Sequence, residues 1–244
     1  MPRLFVYRIV TDGGWAPHIS DGFLTLTICK PKIRKSARDG DYVLALVAQS
    51  SNSMKTLKKE KAVSNNDKHF LAAYLFRVGE VVPLKNYDEW CAAHAPGKLC
   101  TADKINGNAQ YNKNLAWRPG PHGISQQERN LSGCNSITSN HFAAWKSSAP
   151  HRLTVEELAG LGLTEEEVAK IGIGHKIVEM PDTKMAEHLI VSKAAPANNK
   201  GARVKCAPKN KTAKNNGPRG NGSGAGPRGN GSGAGPRGCG SGAK

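Results

Sequence analysis

The sequence predicts an α+β fold: a curved mixed β-sheet or small β-barrel carrying peripheral short helices, followed by a disordered basic tail rich in glycine and arginine. Three observations predict it. Alternating or wholly apolar runs, the marks of half-buried and fully buried strands, fall at residues 1–10, 23–29, 42–48, 68–83 and 136–145. Helix caps and apolar stripes crowd into residues 153–192. From residue 193 onward the apolar residues nearly vanish, so that segment cannot bury enough surface to offset its chain entropy. The domains are therefore 1–192 and 193–244.

In the opening strand Leu4, Val6 and Arg8 share one face, and Phe5, Tyr7 and Ile9 the other. Residues 11–21 read as a loop in which Trp15, beside Gly13, Gly14 and Pro17, is either a lid over the core or a wall for a planar ligand. The next strand, 23–29, sets Leu24, Leu26 and Ile28 against Phe23, Thr25, Thr27 and Cys29, and Pro31 stops it because it lacks an N–H. Lys30, Lys32, Arg34, Lys35 and Arg38 then follow with no acid before Asp39. As two helical turns over 32–38 they would turn Ile33 and Ala37 inward and stack Arg34 and Arg38 on one exposed face. Asp39, Gly40 and Asp41 make a turn into the buried strand 42–48.

Residues 49–67 read as a polar, lysine-rich loop, and 68–83 as a strand with a kink or bulge at Gly79. Residues 86–94 form a short helix capped by Asn86. The glycine- and proline-rich stretch 96–136 holds Asp103, Lys104, Asn106, Asn108, Tyr111, Trp117, Arg118 and His122, polar groups able to do chemistry. A strand at 136–145 precedes two capped helices, opened by Thr154 with Glu157 and by Thr164 with Glu167. The second ends at Gly172, where residues 172–176 read as a glycine turn that includes His175 and has the cation Lys176 at its exit; a helix over 181–192 closes the fold. The tail repeats GPRGNGSGA at 217–225 and 226–234, and again at 235–243 with cysteine in place of asparagine.

Residues 1–150 carry 20 Lys+Arg against 11 Asp+Glu, residues 151–192 carry 4 against 8, and residues 193–244 carry 11 against none, so the net +16 sits at the two ends. Such basicity favours a polyanionic partner, nucleic acid before membrane. No basic stretch has the apolar anchors of a membrane-surface helix. The six cysteines stand singly, without zinc-site spacing, so no metal or cofactor is expected. No secretory apolar segment opens the chain and no run is long enough to span a bilayer, which predicts an intracellular protein, cytoplasmic or nuclear, with free thiols. The P-loop, the dinucleotide fingerprint, the G-x-S-x-G elbow and HExxH are all missing from the sequence. Oligomeric state is not legible.

The run Cys29-Lys30-Pro31-Lys32-Ile33-Arg34-Lys35-Ser36-Ala37 with Gly40-Asp41, preceded by Ala16-Pro17 and followed by His141-Phe142 and Gly172-x-Gly174-His175-Lys176, resembles the second of the nucleotide modification associated domain families over residues 1–192. The resemblance implies a part in DNA base hypermodification or its recognition, and a polar site from Cys29, Lys30, Lys32, Arg34, Asp41, His141, Gly174, His175 and Lys176. The chain departs from the family at Ala143-Ala144, where aromatics are expected, and near Asp103 and Asn106. The order of elements also looks like the small β-barrels of the PUA, ASCH and EVE group, which hold a modified base in a cleft.

Two functions follow as expectations. In a binding module, Cys29, Lys30, Lys32, Arg34, Arg38 and Lys176 line a phosphate or nucleotide site with Asp103 and Asn106, Trp15 or Trp117 stacks a base, and His141 or His175 hydrogen-bonds it. In an enzyme acting on a nucleotide or DNA base, His141 or His175 is the general acid or base and Asp41 or Asp103 its orienting carboxylate.

Overall fold

The structure, a computed structural model, describes residues 1–64, 69–101, 107–120, 122–172 and 174–193. The expected tail and the candidates Asp103 and Asn106 lie outside the described residues.

The chain opens with β1 (Arg3–Ile9), buried on both faces, and passes through β2 (His18–Ser20) and β3 (Phe23–Leu26) into α1 (Pro31–Ser36). β4 (Tyr42–Val47) is wholly buried, as its unbroken apolar sequence requires. α2 (Asn52–Lys59) leads to β5 (Leu71–Arg77), β6 (Glu80–Pro83) and α3 (Leu84–His94). Further along come α4 (Gln127–Leu131), β7 (Asn135–Ser139), β8 (Phe142–Ala144) and β9 (His151–Arg152). The fold ends with α5 (Val155–Gly160), α6 (Glu165–Ala169), β10 (His175–Glu179) and α7 (Lys184–Lys193).

Two open sheets result, and neither closes into a barrel among the described residues. The larger runs β10-β1-β4-β5-β8, with β9 also on β5, and is mixed: β1 and β4 are parallel with Ile9 opposite Val47, while the other pairs are antiparallel. The smaller runs β2-β3-β7-β6. Phe5, Tyr7 and Ile9 of β1 meet Leu24 and Leu26 of β3 and Ile137 of β7 in the layer between the sheets. Leu4 and Val6 face the other way, under Leu158, Val168 and Leu189 of α5, α6 and α7. A third cluster packs Tyr87, Trp90 and Cys91 of α3 with Val82 of β6. The layers are thus helices, sheet, sheet, helix, each apolar face buried against the next. Among the described residues no helix is long and apolar enough to cross a membrane.

The two capping boxes form as the sequence predicts, Thr154 with Glu157 and Thr164 with Glu167. Other expectations need correction. The loop at 49–67 contains α2, because Ser51 Oγ accepts from Met54 N–H and Met54 and Leu57 reach the core. α3 starts at Leu84, with Pro83 rather than Asn86 before it. The strand at 136–145 is two strands in two sheets, split at Asn140 and His141. His175 and Lys176 belong to a strand and not to a turn, since β10 adds to the edge of β1 with His175 opposite Tyr7.

Candidate functional site

β3 ends at Leu26, and the chain enters α1 through two consecutive left-handed residues, Cys29 (φ 62) and Lys30 (φ 43, ψ 48). Neither is glycine, so each costs on the order of 1–3 kcal/mol that the surroundings must supply. Pro31, its φ preset for a first helical turn, begins α1 directly afterwards. Cys29 N–H donates to Asn130 Oδ1 at 3.1 Å, and Arg34 Nε donates to the Cys29 carbonyl at 2.8 Å. The same guanidinium donates to the carbonyls of Asn135 (2.6 Å) and Asn130 (2.5 Å). Gly133 makes room for it: a Cβ there would lie 2.4 Å from the guanidinium carbon.

Arg34 is therefore fully buried, which overturns the expected exposed pairing of Arg34 with Arg38. Burial lowers its pKa to about 10, so it stays charged and serves as a clamp between α1, α4 and β7. α1 ends at Ser36, leaving Arg38 exposed beyond it, its N–H donating to Asp41 at 2.9 Å. Asp41 is buried and bound to Arg3, at 2.6 Å through Nη2 and 2.9 Å through the backbone N–H. It secures the turn before β4.

Cys29 has a histidine beside it. His122 Nε2 lies 3.3 Å from Cys29 Sγ, and His122 Nδ1 lies 3.0 Å from Asn130 Nδ2. Because the Cys29 N–H can only donate, the Asn130 oxygen must face it and the amide NH2 must face His122. His122 Nδ1 is then an acceptor, and the ring proton sits on Nε2, directed at the sulfur. Burial lowers the His122 pKa, and Arg129 and Arg34 add to this against the Asn130 hydrogen bond, so the ring is neutral near pH 7. Burial raises the Cys29 thiol, while Arg129, Lys30 and Arg34 pull it back down. Gln110 holds the His122 backbone from both sides, Nε2 donating to its carbonyl at 2.8 Å and Oε1 accepting its N–H at 3.3 Å. Trp117, half-buried, donates to that carbonyl at 3.4 Å.

Lys30 Nζ lies 4.5 Å from the centroid of the Tyr7 ring and donates to the Arg8 carbonyl at 3.1 Å. Tyr7 is completely buried, and its hydroxyl has no hydrogen-bond partner among the described residues. After burial, the charges that hold its proton on belong to Tyr74, Cys29 and Asp12. Across β1, burial depresses the pKa of His175, and Lys32 and Lys30 depress it further. His175 and Lys176 line a hollow of about 430 Å³ with Glu167, Lys170, Ile171, Gly172 and Gly174. Lys176 is ion-paired there to Glu167 at 2.9 Å.

His141 stands elsewhere. It precedes β8, at the opposite edge of the larger sheet from β10, and lines a hollow of about 370 Å³ with Asp39, Gly40, Arg77 and Asn140. Its carboxylate partner is Glu187 of α7, at 2.5 Å from Nε2, rather than Asp41. Tyr42 also donates to Glu187. Burial raises the Glu187 carboxyl, but the Tyr42 and His141 hydrogen bonds prevail and lower it.

The sequence candidates thus divide into two groups. Cys29, Lys30 and Lys32 lie toward Tyr7 and His175 at the β1–β10 pair, the neighbouring Lys176 is held by Glu167 of α6, and His141 lies with the Asp39–Gly40 turn. Trp15 is half-buried in its loop, its indole against Gly13. Tyr7, Asn130 and Glu187 were not singled out: Tyr7 reads as a core aromatic, and the other two reach their partners over 101 and 46 residues. Among the described residues no three His, Cys, Asp or Glu side chains converge as metal ligands.

No curated protein and no solved structure matches the chain. A family model described as nucleotide modification associated domain 2 matches residues 1–185. With three quarters of the chain covered, this protein belongs to the nucleotide modification associated domain 2 family.

Proposed function

We propose that the folded part is a nucleotide- or nucleic-acid-associated module that binds a modified base or takes part in its modification, with its ligand site at the end of β1. The observation that carries this reading is that Lys30 lies over the Tyr7 ring, which stands opposite His175 in the β1–β10 pair, with Lys32 near enough for both cations to depress the His175 pKa. Lys30 and Lys32 at the start of α1 and His175 of β10 bring three nitrogen donors that can meet one anion there, and Lys32 is exposed to solvent. Trp117 beside His122 offers a face for a base. The +11 balance of residues 193–244 adds sequence-independent attraction to a polyanion.

The test is fluorescence anisotropy of a labelled single-stranded oligonucleotide with the full chain at increasing salt. Lys32→Ala should weaken binding and reduce the log–log salt slope by about 0.7, the single-strand value for one lost phosphate contact. An unchanged affinity and slope in Lys32→Ala and in Lys32→Ala/Lys176→Ala would refute this placement of the ligand.

A second reading is an enzyme acting on a nucleotide or DNA base with a histidine general acid or base. It is favoured by His141, paired with Glu187 and facing an open hollow. Turnover that disappears in His141→Ala while oligonucleotide binding persists would establish it.

A further inference from the structure

Binding of a phosphate and a base leaves the Cys29 thiol unused, although the backbone is strained to present it. Cys29 stands between a strand and a helix in left-handed backbone, at the kind of sharp turn that thrusts a nucleophile clear of its neighbours. It is partly exposed, whereas the free thiol of Cys91 on α3 is buried. Its sulfur receives the His122 Nε2–H, and Asn130 fixes both partners, accepting from the Cys29 N–H and donating to His122 Nδ1. A nucleophile beside a histidine that a third group orients is the recurring layout of covalent catalysis.

A second observation, independent of that cluster, points to a ligand. The Tyr7 hydroxyl is fully buried yet unpartnered among the described residues, and the charge of Cys29 reaches it. A buried hydroxyl without a partner forfeits on the order of 1–3 kcal/mol, so a polar group from outside the protein would be welcome there. Lys30, lying over the same ring, brings a cation to the same place.

We propose that Cys29 is the nucleophile of a covalent centre, adding through sulfur to an electron-poor ring carbon of a nucleobase, with the His122 Nε2–H and the Tyr7 hydroxyl as hydrogen-bond donors. The proposal rests on the nucleotide reading above and names the chemistry of that site. In the step, the thiol gives its proton to water and the sulfur lone pair forms the S–C bond. The ring C=N or C=C π pair moves onto the adjacent ring atom, which takes a proton from solvent. No oxidant, reductant or leaving group is required. The groups facing the sulfur are Arg129, Lys30, Arg34 and the neutral His122. All four favour the thiolate against burial, so the centre rests as a thiol and is stabilised as it ionises.

The test uses the full chain and two electrophiles, with the modified residue located by peptide mass spectrometry. Iodoacetamide reports thiolate reactivity alone. 6-Chloropurine riboside 5′-monophosphate reports addition to a nucleobase, because sulfur forms a bond to C6 as chloride leaves. Cys29 should be the site of both adducts, ahead of Cys91, with rates rising with pH. His122→Ala should shift that pH profile upward and slow both reactions about tenfold at neutral pH, one hydrogen bond to a charge. Tyr7→Phe should slow only the purine reaction, and Cys29→Ser should abolish the purine adduct and leave only the alkylation of other cysteines. Alkylation of Cys29 no faster than Cys91, in protein that still binds the labelled oligonucleotide, overturns the inference and leaves the binding module standing. Rapid iodoacetamide labelling with no purine adduct overturns the nucleobase assignment.

Discussion

Arg34 is the residue whose removal has the most sharply defined consequence. Its guanidinium, with no solvent exposure, makes three charge-assisted bonds to carbonyls of the Cys29 turn, α4 and the start of β7. Bonds to a charged group each contribute about 1.5–3 kcal/mol, and part of that is returned when the buried charge itself is removed. Arg34→Ala should therefore cost roughly 3–5 kcal/mol, lowering the melting temperature by about 10 °C or more. Gly133→Ala tests the same geometry from the other side, since its Cβ would fall 2.4, 2.5 and 2.7 Å from guanidinium atoms and force at least one carbonyl to be released. In the wild-type background this should cost about 2 kcal/mol, and in the Arg34→Ala background close to nothing, because the added methyl enters vacated space. Urea unfolding of the four proteins gives the cycle directly. A Gly133→Ala cost equal in both backgrounds, or an Arg34→Ala cost below about 1 kcal/mol, would refute the clamp.

Two further predictions concern titration. Lys32→Ala should raise the His175 pKa toward its ordinary value, because one of the cations opposing the imidazolium is gone; NMR titration of the ring protons checks this, and an unmoved midpoint would separate the two residues. Lys98 is fully buried, its Nζ donating to the carbonyls of His18 and Phe23 at 2.9 Å each, and burial lowers its pKa to about 7. Between about pH 7 and 10 the unfolded chain holds a proton there that the folded protein has released, so stability should rise with pH across that window. Lys98→Met should flatten the rise, and denaturant midpoints at about pH 7, 8 and 9 measure it.

Much of the fold was legible because strand and helix periods express themselves over a few neighbouring residues. The faces of β1 divide as Leu4 and Val6 against Phe5, Tyr7 and Ile9 suggest, and both capping boxes close. Most of what failed at the candidate site depended on partners distant in sequence, whereas α2 was missed although its Ser51 cap is local. Arg34 looks like a surface cation until the carbonyls of Asn130 and Asn135, about a hundred residues away, are brought to it. β10 is too short and too polar to announce itself and becomes a strand only because β1 offers an open edge. The candidate site was half legible for the same reason. The block from Cys29 to Lys32 was visible as a unit, but His122 was one polar residue among several, and nothing local marks Tyr7 as a buried hydroxyl lacking a partner among the described residues. His141 was visible too, whereas its carboxylate partner, Glu187, waits 46 residues further on in α7.

The most direct test of where this protein meets its ligand is a backbone amide NMR titration of the full chain with a nucleoside monophosphate. A site at the end of β1 predicts saturable shifts at Cys29, Lys30 and Lys32, at His122 and Trp117, and at His175 and Lys176. Shifts confined to the hollow beside His141, or saturable binding that leaves Cys29 to Lys32 unmoved, would contradict it.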